Sequence, residues 1–210
     1  SRRARAEYVL NLQEPLPRPS SNHKRNITRA QKAGVQVRRT RDRAALADHV
    51  NLMSAAMERR EQRGEAVPTV HPSPFDSALL TCGAAELFQT HDGSSLLSSI
   101  LVLRAPRGAY YQSAGTSPEG MEIGASQFLI SSVASLLQEE GMHLFNLGGA
   151  GDESPGLQRF KAGFGAHPVL LEAASFVFGS RGERAARSLV AKALGAASLP
   201  FRKTRSASQA

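Results

Sequence analysis

A mixed α/β sandwich is the fold class that three features of this sequence predict. Apolar residues recur at helical spacing in separated stretches, apolar runs of strand length crowd the middle of the chain, and the regular βαβ alternation of a doubly wound nucleotide fold is missing. With 210 residues, 41% of them hydrophobic and 21% charged, the chain has the size and balance of one folded domain with room for a small annex.

The elements follow in order. EYVLNL, from Glu7, alternates as a short strand, and PLPRPSS turns the chain because proline disfavours helix before itself. Ser21 to Ala33 suits a helix with Ile27 and Ala30 inward and Gly34 as its C-terminal cap. VQVRR alternates as a strand. A second helix runs from Arg43 to about Gln62 on the stripe Leu46, Val50, Met53 and Met57. PTVHPSPF reads as a linker into a short helix around Asp76 to Leu80. AELFQTH, SSLLSSILVLRA and GAYYQSA are successive strands, the last two joined across APRG in a hairpin. GASQFLISSVASLLQEEG is the strongest helix, burying Phe128, Val133, Leu136 and Leu137. HLFNL is a strand, GGAGDESPG a loop, LQRFKAGF at most two helical turns and PVLLEAASFVFG a strand. SRGERAARSLVAKALGA reads as a last helix before a mobile tail.

The formal charge of +8 and pI of about 10.4 permit a phosphate-bearing partner, with the cations crowding SRRAR, HKRNITRAQK, RRTRDR and FRKTRSASQA. No apolar run is long enough to cross a bilayer, and the opening lacks a secretion-signal core. A single cysteine, Cys82, excludes an intrachain disulfide framework and a multi-cysteine zinc site. These features favour a reducing, cytoplasmic setting. The lack of an initiator Met leads us to expect that Ser1 is not the biological start.

Chemistry concentrates in two stretches. GLQRFKAGFGAHP places Arg159 and Lys161 between glycines, directly after a strand. On a helix these two cations cannot share a face, so at most one enters a given cleft, and solvation is the default for a lysine so placed. Phe160 and Phe164 bury an apolar face; Gly163 and Gly165 end the helix or permit close approach. SAGTSPEGMEIGAS, from Ser113 to Ser126, precedes the strongest helix, whose N-terminal amides attract phosphate, although Glu119 and Glu122 oppose this. No Walker or dinucleotide pattern is present. His143, His167, Asp152 and Glu153 are the nearby proton-transfer candidates. Cys82 reads as core or loop, while His49, His71 and His91 are too scattered for a metal site. The face formed by Lys24, Arg25 and Arg29 suits phosphate or acidic protein.

Taken in chain order, EYVLNL, SSNHKRNITRAQKAGVQVR, GAYYQSAGTSPEG, GASQFLISSVASLLQEEGMHLFNLGG and GLQRFKAGFG resemble the Fem and CelD-like acyltransferases of the GNAT superfamily. The specific signal is a strand ending in a glycine pair, followed by FK-x-GFG. The resemblance implies a GNAT-like fold, a central twisted mixed sheet flanked by helices, over residues 1–178, followed by a helix at 179–196 and a tail at 197–210. It also implies acyl transfer to an amine. Lys161 then supports the reacting acyl group, with Phe160 beside it. Gly115, Gly120, Gly124, Ala125 and Ser126 are the donor-loop positions, and Arg25, Arg29, Asn146 and Arg159 the substrate-binding ones. The donor is an acyl-CoA, or a charged tRNA as in the Fem enzymes, whose acceptor is a peptidoglycan precursor. No metal is expected. The loop departs from the GNAT pyrophosphate pattern: its best placement begins at Met121, reaches Gly124 and ends with Ser126. The chain resembles only the second of two GNAT-like halves, so a partner protein, a homo-oligomer or a further N-terminal half is expected to complete the channel. A GNAT-like domain with a binding or structural role is the non-catalytic alternative.

Overall fold

The computed structural model describes residues 2–65, 74–150 and 154–174. In chain order the elements are β1 (Arg2–Asn11), α1 (Ser21–Lys32), β2 (Gln36–Thr40), α2 (Arg43–Gln62), α3 (Pro74–Thr81), β3 (Ala85–Asp92), β4 (Ser95–Ala105), β5 (Gly108–Thr116), α4 (Pro118–Ile123), α5 (Ala125–Glu139), β6 (Leu144–Gly149), α6 (Pro155–Ala162) and β7 (His167–Ala174). Residues Ala4–Leu171 form one compact unit, and everything that follows concerns it. The second unit comprises Ser1–Arg3 and Glu172–Ala210, of which only Arg2, Arg3 and Glu172–Ala174 are described, all as strand. The expected helix at 179–196 and tail at 197–210 lie outside the described residues.

The strands form one mixed sheet in the order β2-β3-β4-β5-β6-β1-β7. Neighbours from β2 to β5 are antiparallel, β5 and β6 run parallel, and β6 and β1 return to antiparallel. Helices cover both faces, so β3 is buried from Ala85 through Thr90 and does not alternate. On one face Leu80 of α3 packs with Leu87 and Leu101, and Ala45 and Leu46 of α2 join them. On the other, α5 lays Leu129, Ile130, Val133 and Leu137 against Phe88, Ile100, Val102 and Phe145. Both observations together make the expected α/β fold with flanking helices.

Local chemistry sets the helix boundaries. Ser20 caps α1 by accepting from the His23 amide, and Asp42 caps α2 by accepting from Ala44. Gly34 takes a φ of 75°, the left-handed turn that stops α1. Two boundaries differ from the sequence reading. β1 begins at Arg2, before the EYVLNL stretch, and residues 113–126 are not one loop. β5 continues to Thr116, and Ser117 then caps the extra helix α4 through the Gly120 amide.

Candidate active site

Strands β5 and β6 pair from Gly108 opposite Leu144 to Tyr110 opposite Asn146, and the paired stretch ends there. β6 runs on into Gly148, whose φ of 78° requires glycine, and then Gly149. A Cβ on Gly148 would lie 3.5 Å from both Lys161 Nζ and Tyr110 Oη, so the ammonium, the phenol and the glycine turn border one small volume.

Lys161 reaches this point from the last turn of α6. Two residues turn a helix by about 200°, which puts Arg159 on the exposed side and Lys161 on the inner one. The solvated lysine expected by default is therefore not what is found: Lys161 is 6% exposed and donates from Nζ to Gly149 O at 2.7 Å. Burial lowers its pKa to about 8, against the opposing charge of Glu7. An ammonium has three N–H groups, so the bond to Gly149 leaves two for another acceptor. Such a cation can stabilise an oxyanion that forms beside it.

Glu7 and Asn146 support the turn from behind. Asn146 donates from Nδ2 to Glu7 Oε2 at 2.5 Å, while its Oδ1 accepts from the Gly148 amide at 2.8 Å. Asn146 thus holds the β6 terminus and has a positioning role. Glu7 is 2% exposed on β1, and the sequence reading overlooked both it and Tyr110. The one available signal for Glu7 was a carboxylate directly before the apolar run Tyr8–Val9–Leu10.

Phe160 also acts through position. Its ring packs at a tilt against His23 and edge-on against Phe164, both at centroid distances of 5.3 Å, and its carbonyl accepts from His23 Nε2 at 2.9 Å. His23, again not singled out by sequence, is 4% exposed; burial lowers its proton affinity, and the Phe160 bond partly offsets this. Gly163 explains the close fit, since a Cβ there would come within 2.6 Å of the imidazole.

The glycine loop is engaged internally. A Cβ on Gly115 would meet the Leu52 backbone at 2.5 Å, one on Gly120 the Leu97 carbonyl at 2.3 Å and one on Gly124 the Asn26 side chain at 2.6 Å. The amide of Gly120 donates to Ser117 Oγ, that of Met121 to Ser117 O and that of Gly124 to Met121 O. Ala125 is fully buried, and Ser126 donates to Gln127 Oε1. The space beside these glycines is therefore filled from within the protein, and the amides of Gly120, Met121 and Gly124 are engaged internally.

The remaining candidates are dispersed. Arg25 and Arg29 share the exposed face of α1 and, with Lys24 and Lys32, line a groove of about 480 Å³. Arg25 is tied to Asn22 Oδ1, and Arg29 to the Glu122 carbonyl. Arg159 borders a different groove with Asn22 and Phe160. His143 precedes β6 at the end opposite Lys161, and His167 is exposed at the start of β7. Asp152, Glu153 and His71 lie outside the described residues. His49 is buried between Ser99 and Ser113, and Cys82 is exposed after α3. Among the described residues no cluster suited to a metal ion occurs, and no helix is long and apolar enough to cross a membrane.

Among curated proteins no match is found. Solved structures resemble the fold at low identity. FemX aligns with a TM-score of 0.62 at 16% identity, over 80% of this chain and 61% of its own. L-PGS from Bacillus licheniformis gives 0.61 at 14%, over 92% of this chain and 67% of its own. The C-terminal domain of a putative lysylphosphatidylglycerol synthetase from Agrobacterium fabrum gives 0.57 at 15%, over 92% and 66%. The chain thus spans less than two thirds of FemX. Sequence is more specific than shape here: residues 19–162, from the lead-in to α1 through the end of α6, match the acetyltransferase (GNAT) domain, and the chain belongs to that family.

Proposed function

We propose that this domain transfers an acyl group from an activated ester or thioester donor to an amine, with Lys161 stabilising the oxyanion. The observation that carries the reading is the ammonium buried at the end of β6, bonded to Gly149 O beside Tyr110 and the Gly148 turn. In the proposed step the amine nitrogen attacks the carbonyl carbon, a C–N bond forms and the carbonyl electron pair moves onto oxygen. Lys161 donates to that oxygen, an interaction stronger for the anion than for the preceding carbonyl. The carbonyl then re-forms, the C–S or C–O bond breaks with its electrons on the leaving atom, and the nitrogen's proton passes to water. Asn146 and Glu7 keep the turn in place throughout.

Acyl-CoA is the donor in the first reading. No step is assigned to the CoA portion. Charged tRNA is the second, favoured by the cationic face of α1 and by the fold likeness to FemX; its acceptor would be a peptidoglycan precursor. The test is a panel of amines offered with acetyl-CoA and, separately, with aminoacyl-tRNA to the parent and to Lys161→Ala. We expect turnover with one donor class and a loss of at least about 100-fold in the variant. Parental turnover by folded K161A contradicts the role of Lys161, and no turnover with either donor favours a GNAT-like binding domain.

A further inference from the structure

Glu7 and Lys161 come from opposite ends of the described chain and meet at the same two glycines. Between Val9 and Glu7 strand β1 advances two residues while β6, from Asn146 to Gly149, advances three, so β6 carries one extra residue and bulges there. The bulge contains Gly148 and sets Glu7 opposite Gly149. A Cβ on Gly149 would lie 3.3 Å from Ala6 O and 3.9 Å from Glu7 Cγ, so the missing side chain is what lets β1 close on the turn. The carbonyl of this same Gly149 accepts from Lys161 Nζ, and Glu7 is linked to the Gly148 amide through Asn146.

Both ionisable side chains are buried. Charges so placed are weakly screened by salt, and a neighbouring opposite charge favours the ionised form of each. The other groups near Lys161 do not supply negative charge among the described residues. Tyr110 comes from β5, Arg159 lies on the exposed side of α6, and His23 of α1, at the Phe160 carbonyl, is pushed by burial towards its neutral form. Burial alone drives Lys161 towards a neutral amine, which carries no charge to offer an oxyanion, and Glu7 acts in the opposite direction.

We propose that Glu7 is a positioning residue of the transfer step whose negative charge, set behind the bulge, holds Lys161 as the ammonium that meets the oxyanion. This deepens the acyl-transfer reading and rests on it for the purpose of the ammonium. The coupling between the two side chains does not depend on that reading, so the two can fail separately.

Glu7→Gln removes the charge and keeps an oxygen that can accept from Asn146 Nδ2. Asn146→Ala does the reverse, leaving the charge and cutting both bonds to the turn. In the full chain carrying carbon-13-labelled lysine, the Cε signal of Lys161, identified by its absence from K161A, follows its protonation with no substrate present. We expect a midpoint of about 8 in the parent, a proton affinity at least about tenfold lower in E7Q, and the parental midpoint in N146A. The parent alone gives a check that survives if E7Q does not fold: the carboxyl carbon of Glu7 should shift as Lys161 titrates and stay still over that range in K161A. With a donor that supports turnover, the deficit of E7Q should be at least about tenfold above the parental midpoint and shrink towards acid pH. N146A should lose activity by the same factor at every pH. An unmoved Lys161 midpoint in E7Q, a midpoint that falls as far in N146A, a static Glu7 carboxyl signal or an E7Q deficit independent of pH overturns the proposal. If the midpoint falls in E7Q but no donor is turned over, the coupling stands and the acyl-transfer reading falls.

Discussion

Lys161 combines a position useful for chemistry with one unfavourable for stability. Its pKa is lowered from 10.5 to about 8 by burial, so between those values the unfolded chain binds a proton that the native state has released. Stability therefore rises with pH across that window, and below it the native state carries a charge that burial disfavours. Lys161→Met should raise folding stability at pH 7 by on the order of 1–3 kcal/mol, measured by urea unfolding, while removing transfer activity. A structural lysine would show the opposite sign. In the proposed step the ammonium is the acting form, so the Lys161-dependent rate should fall as pH rises through about 8. A rate still climbing above that pH would exclude the protonated form as the active one. The sequence made Lys161 visible through FK-x-GFG but could not reveal its burial. That depends on the Gly149 carbonyl and on Glu7, the latter brought alongside by β1 from the other end of the chain.

Helix α2 shows how one element is seated by a few polar and backbone contacts. His49 bridges Ser99 and Ser113 at 2.9 Å on each ring nitrogen, and α2 lies so close to β5 that Gly115 touches the Leu52 backbone. Gly115→Ala inserts a methyl where backbone atoms stand 2.5 Å away, so we expect a loss of roughly 2–3 kcal/mol in denaturant unfolding. A loss under about 0.5 kcal/mol would mean that α2 can move off β5 freely. Burial also lowers His49 from 6.5 to about 4, which fixes the sign of its acid response. Between those pH values the unfolded state binds the additional proton, so stability should decline by on the order of 2 kcal/mol as pH falls through the window. His49→Gln should flatten that decline in a pH series of melting curves. The helical stripe of α2 and the apolar runs of the strands beside it were legible because they are local. The insertion of β1 between β6 and β7 was not, since its pairing depends on residues more than a hundred positions away. The same limit explains why the glycines of β5 and α4 looked like a phosphate loop: sequence shows that a side chain is missing, but not which neighbour fills the space.

Across the molecule, charge divides into a part used by the fold and a part left on its surface. From Pro15 to Arg41 there is no Asp or Glu. Within this stretch Arg39 and Arg41 bind Glu86, and Arg104 and Glu140 complete an ion-pair network that links β2, β3, β4 and the end of α5. Lys24, Arg25, Arg29 and Lys32 instead remain along the outer side of α1. Four cations on one helix face can meet successive phosphates of an RNA strand. If charged tRNA is the donor and uses this face, counterion release sets a slope of about −3 to −4 for the logarithm of affinity against the logarithm of salt concentration. Replacing Lys24 and Lys32 by glutamine should make that slope shallower by about one for each phosphate that is no longer neutralised. Arg39 and Arg41 need not follow the same rule, because both are already paired with Glu86, and Arg39 also with Glu140. Fluorescence titration of a labelled tRNA between 50 and 200 mM salt, about the range over which such binding loses most of its affinity, distinguishes the cases. Affinity that stays level over that range, or a double variant with the parental slope, would remove α1 from the donor site and leave its cations as a solvated surface.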